Sequence, residues 1–105
     1  MAVLTAAPAR MTALFHALAE RWRDETKFAS STTEIVLHPS YQRIIGFGPQ
    51  VLPLIFEQLE RVPEPWFWAL TALTGENPIP AEDVGRTRRM AEHWLQWGRV
   101  NGWHG

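Results

Sequence analysis

From Pro39 to Gly85 this chain meets a proline or a glycine at intervals of ten residues or fewer. Proline removes a backbone donor and blocks the helix interior, and glycine supplies the left-handed turn that ends helices, so this stretch has room only for helices of a few turns. Within the intervals the apolar side chains recur every three or four residues, and no segment alternates strictly between apolar and polar as a half-buried strand does. An all-α fold follows: a bundle of about five short helices joined by tight turns. The 105 residues suit one helical domain spanning 1–105, in which residues 1–8 and 101–105 are expected to fray unless Trp103 tucks back onto the fold.

Ahead of the punctuated stretch, Met11, Leu14, Phe15, Leu18 and Trp22 form one stripe of a helix predicted over Ala9 to Phe28. Glu20, Arg23, Asp24 and Lys27 lie on the other side and face water, while Glu25 at the edge is one turn from Arg21. Ser31 and Glu34 have the spacing of a capping box, and Pro39 ends the turn that starts there. A helix then restarts over Pro39 to Ile45, with Gly46 as its left-handed stop. The next is predicted from Pro49, with Pro53 near its start and apolar residues on more than one face, so it is buried between neighbours. Val62 to Pro65 is a turn with Pro65 in the first helical position, followed by a helix over Trp66 to Thr74 that calls for apolar contact all round and is closed by Gly75. Glu76 to Asp83 reads as a rigid loop, with Asp83 as a helix cap. The last helix is predicted from about Gly85 to Val100, with Met90, Trp94 and Trp97 on its core stripe and Gly98 beside them permitting close approach of another backbone.

Gly48, Pro49, Pro53, Leu54 and Leu59, followed by Ala69, Leu70, Leu73, Thr74 and Gly75, make the 48–75 pair similar to one HEAT-like helical repeat. The resemblance covers about half the chain with the loop and Trp94/Trp97 helix that follow, and it implies a stacked helical hairpin. Through Trp66-Phe67-Trp68-Ala69-Leu70, Thr74-Gly75 and the Trp94 and Trp97 pair, the whole chain also resembles a family of short bacterial proteins. That resemblance implies no catalytic residues.

Chemistry is sparse. No cysteine is present, which excludes disulfides, thiolate metal clusters and a catalytic thiol. His16, His38, His93 and His104 are scattered over separate segments without metal-ligand spacing, and the acidic loop residues lack the pattern of a calcium loop. Glu34 and His38 are four apart and could share a helical face as a general-base pair, but the capping box and Pro39 account for both. No catalytic, metal or cofactor site is assigned. No apolar run approaches the ~20 residues of a membrane span, and Met1 to Ala9 lack the features of a signal peptide, so a cytoplasmic bacterial-type protein is expected.

Two interaction classes remain. With 46% hydrophobic residues, six of them Trp, the chain can both fill a core and leave aromatic rings outside it. Trp66, Phe67, Trp68 and Trp103 are the candidates for contact with another protein or a second copy of the chain, in a non-enzymatic adaptor or regulator of antitoxin, immunity or scaffold type. The alternative draws on charge: residues 46–85 hold one basic and six acidic side chains, whereas residues 86–105 hold four arginines and one glutamate. Arg86, Arg88, Arg89 and Arg99 are the candidates for nucleic-acid contact through the last helix. The net charge of -1 lacks the strong basic footprint of that class.

Overall fold

Six α-helices follow one another in the described residues, 9–62 and 65–103, of a computed structural model: α1 (Ala9–Thr26), α2 (Thr32–Val36), α3 (Pro39–Gly46), α4 (Leu52–Arg61), α5 (Phe67–Thr74) and α6 (Thr87–Val100). No strand occurs among these residues, and the all-α expectation holds. The expected fraying of 1–8 and of 104–105 lies outside the described residues, as does part of the turn expected after Val62.

The stripe on α1 buries Phe15, Leu18 and Trp22 against α3, with α2 closing the far end. Leu14 does not join it and is 40% exposed, and Met11 is only half-buried. Arg23 is not on a purely wet face either: its guanidinium donates to the side-chain carbonyl of Gln58 on α4. Ser31 begins α2 as expected, its hydroxyl accepting the Glu34 amide at 3.4 Å.

At the heart of the fold Trp22, Tyr41 and Trp66 meet from α1, α3 and the start of α5. Ring centroids are 5.2 Å apart for Trp22–Tyr41, 4.7 Å for Trp22–Trp66 and 5.6 Å for the stacked Tyr41–Trp66 pair. Such contacts add to what burial of the rings alone contributes. The Tyr41 hydroxyl donates to the Pro65 carbonyl at 2.9 Å and accepts the Ala69 amide at 3.0 Å. Trp66 caps α5 without a side-chain acceptor of its own, so Tyr41 takes that place from another helix. Pro65 accordingly stands two residues before the helix, which starts at Phe67 rather than at the proline.

Two other boundaries depart from expectation for local reasons. A 3-10 turn over Pro49–Val51 precedes α4, which puts Pro53 inside the first turn of α4, where its missing amide has no partner to lose. Gly46 is helical and α3 runs through it; the left-handed backbone falls at Gly48 (φ 81°), which turns the chain into Pro49. Gly75 ends α5 in the left-handed conformation as expected.

α4 is buried on most sides, packing on α5 and α6. A Cβ at Gly98 would stand 3.1 Å from the Phe56 ring, so the missing side chain is what lets α6 lie this close. Of the α6 stripe Trp94 is fully buried, whereas Met90 and Trp97 are half-buried. Beyond α6 the Trp103 amide donates to the Gly98 carbonyl at 2.8 Å and its ring packs on the core, so the chain is tucked back as far as Trp103. No helix among the described residues is long and apolar enough to cross a membrane.

Candidate functional site

Three consecutive aromatic residues cannot all face one core, because a helix turns ~100° at each step. Trp66 takes the core and is wholly buried, so it presents no surface to a partner and the expectation that it does is corrected. Phe67 is half-buried and Trp68 is 58% exposed. Ala72 and Thr71 are exposed as well, so α5 is open along one side instead of being enclosed all round. Trp103 is half-buried against the core and does not line the groove that Phe67 and Trp68 line.

The open side of α5 forms one wall of a groove of about 720 Å³. Val36 of α2 also lines it, Ile79 and Val84 come from the loop after α5, and Met90 comes from α6. Threonines and Asn77 supply the polar part of the lining, and among the described residues none that lines the groove carries a charge. Exposed Trp68 and Val84 thus lie on one continuous apolar concavity. Trp94 also lines it, with its indole N–H buried and without an acceptor among the described residues.

Charged groups cluster beside the groove. Asp83 is not the cap of the last helix, which starts at Thr87 after Arg86. It closes a 3-10 turn over Ala81–Asp83, is buried, and accepts from His93 Nε2 at 2.7 Å with Arg89 Nε at 3.5 Å. These donors, the His93 bond foremost, hold its carboxyl below the usual aspartate range against the opposing effect of burial. A second pair lies at the end of α1, where Glu25 meets His38 Nε2 at 2.7 Å and Arg21 at 3.1 Å, and its carboxyl is lowered in the same way.

His38 does not pair with Glu34. Its Nδ1 accepts the Ser40 amide at 3.0 Å and so caps α3. An acceptor at Nδ1 leaves the proton of the neutral ring on Nε2, directed at Glu25. Both nitrogens are thereby engaged in holding helices together. Among the described residues no group of three or more His, Asp and Glu side chains is placed to hold a metal ion.

Arg86 stands before α6 and is exposed, and the three arginines within the helix, Arg88, Arg89 and Arg99, do not form one basic face. Arg89 is turned to Asp83 and Arg99 to Gln96. Arg88 and Arg99 share a direction, but Glu92 falls between them on the same side of the helix.

Of this site the sequence marked Phe67 and Trp68. Ile79, Val84 and buried Asp83 had no periodic signal because each stands alone in a proline-rich loop; two isolated apolar residues amid polar ones were the trace available. Comparisons with protein-family models, with curated proteins and with solved structures each find no match.

Proposed function

We propose that this chain is a non-enzymatic interaction module that holds an uncharged, apolar stretch of another protein in the groove between α5 and α6. The observation that supports this most directly is Trp68, more than half exposed and lining a concavity whose described residues carry no charge. A large ring left in water beside an apolar recess is the usual composition of a binding hot spot. An occupant bearing charge along its contact face would lose hydration with no charged group among the described lining residues to pair with it. The HEAT-like character of residues 48–75 belongs to the same proposal, because such hairpins work by covering one another's apolar faces. Adaptor, immunity and antitoxin roles share this mode of action. Nucleic-acid binding by α6 has less support, since its arginines diverge and two of them are engaged within the chain.

A photo-crosslinking residue placed at Thr71, which is exposed and lines the groove, tests the proposal in cells that naturally encode the protein. The expected result is one saturable adduct that Trp68→Ala abolishes and that a crosslinker at exposed Ala13 does not form. An adduct of doubled mass identifies the occupant as a second copy. Failure to crosslink, or an adduct indifferent to Trp68→Ala, overturns the groove as the docking site.

A further inference from the structure

The segment from Glu76 to Arg86 joins α5 to α6 and supplies the Ile79 and Val84 side of the groove. Apolar contact holds only its first half: Ile79 is half-buried against the core, whereas Val84 is 66% exposed. Within this segment the buried side chain is a carboxylate, that of Asp83. Removing a carboxylate from water is costly unless donors replace the lost hydration. Both donors come from α6, His93 Nε2 at 2.7 Å and Arg89 Nε at 3.5 Å, so the carboxylate ties the segment to that helix, beside the Gly85 amide that donates to Met90 Sδ at 3.3 Å. An ionised carboxylate only accepts, which makes His93 Nε2 the donor. Around Asp83 the backbone closes on itself through Asp83 N–H to the Pro80 carbonyl at 3.0 Å, Val84 N–H to Ala81 at 3.3 Å and Arg86 N–H to Asp83 at 3.0 Å. Pro78 and Pro80 restrict the backbone just before it. Asp83, Arg89 and His93 themselves do not line the groove.

We infer that Asp83, His93 and Arg89 form a clasp that holds the 76–86 segment as a wall of the groove, so that groove affinity is set by three side chains that touch no occupant. This regulation rests on the docking role proposed above. With the clasp intact the wall carrying Val84 is preformed, and binding does not have to order it. With the carboxylate neutralised or its imidazole donor removed, the segment opens locally while the core of α1, α3 and α4 stays folded.

Two readouts on the full-length protein test the clasp: amide hydrogen exchange at Val84 and Arg86, and titration with Nile red, an uncharged apolar dye. In Asp83→Asn and in His93→Gln, exchange at these two amides is expected to rise about tenfold while that of amides in α4 is unchanged, and the dye is expected to bind several-fold more weakly. His93→Gln keeps the buried carboxylate beside Arg89 and reports even where Asp83→Asn fails to fold. Unchanged exchange at Val84 and Arg86 in the folded variants overturns the clasp. Faster exchange with unaltered dye affinity, in a protein whose dye binding Trp68→Ala does weaken, overturns the link between clasp and groove. Dye binding indifferent to Trp68→Ala shows instead that the groove proposal has failed, and the exchange rates then decide the clasp alone.

Discussion

Phe56 and Gly98 approach so closely that three ring carbons lie 3.1–3.2 Å from where a Cβ at position 98 would stand. Phe56 is buried, with the Trp97 ring centroid 6.3 Å from its own, so it has little space to retreat. Replacing a helical glycine normally gains up to ~1 kcal/mol in helix propensity, but here the contact opposes that gain. Gly98→Val should lower the stability of the fold by about 2 kcal/mol in urea denaturation through overpacking. Adding Phe56→Leu to the valine variant should recover part of that loss, whereas independent sites would simply add.

Tyr41 supplies the acceptor that the first turn of α5 lacks, and its removal leaves the buried Ala69 amide unmatched. Tyr41→Phe keeps the ring stacked on Trp66, so the change isolates the hydroxyl. The expected cost is about 1–3 kcal/mol, read from the denaturation midpoint at constant slope.

Trp22 and Trp66 touch each other but differ at their indole nitrogens. Trp22 Nε1 donates to the Ile35 carbonyl at 2.9 Å, while Trp66 Nε1 is buried without an acceptor among the described residues. Trp22→Phe should therefore destabilise more than Trp66→Phe, by about 1 kcal/mol, one hydrogen bond, in matched denaturation curves.

Neighbouring tryptophans of α5 should separate folding from binding. Trp66→Ala removes a wholly buried ring and is expected to cost about 3–5 kcal/mol. Trp68→Ala, at a residue 58% exposed, should change stability by about 0.5 kcal/mol or less and yet abolish capture at the groove. Measuring denaturation and crosslinking on both variants checks the contrast; equal destabilisation by the two would contradict the exposure of Trp68.

Acid should weaken the fold at two identified carboxylates. Glu25 and Asp83 are held below their ordinary values of 4.5 and 3.8, first by the bonds from His38 and His93 and then by Arg21 and Arg89. A carboxyl lowered in the folded state contributes stability that is complete above its unfolded value and disappears as pH falls through the folded one. The loss should thus begin below about pH 4.5, and Glu25→Gln and Asp83→Asn should each flatten the decline of denaturation midpoint with acid. A decline of unchanged steepness in both variants would assign the acid sensitivity elsewhere.

The long periodic segments were the legible part of this molecule. α1, α4 and α6 follow from stripes such as Phe15, Leu18 and Trp22, because burial of one helix face repeats along the sequence at the helix period. Ser31 announced α2 through a contact three residues away. What escaped was held by distant partners: the cap of α5 comes from Tyr41, 28 residues before Ala69, and the burial of Asp83 depends on His93, ten residues on. The groove draws its lining from α2, α5, α6 and the loop between the last two, so no one segment carries its signature. Trp68 was singled out together with Trp66, and only their different sides of the helix distinguish the surface ring from the core ring.

Chain direction gives the Tyr41 contact a further meaning. During synthesis the hydroxyl acceptor on α3 leaves the ribosome before the amide of Ala69 that will donate to it, so α5 emerges to find its cap already made. Cut out as a peptide, residues 67–74 would have neither that acceptor nor enough turns to be helical in water. The helix that carries Trp68 is thus a late and dependent part of the fold, formed when a segment synthesised earlier is in position to receive it.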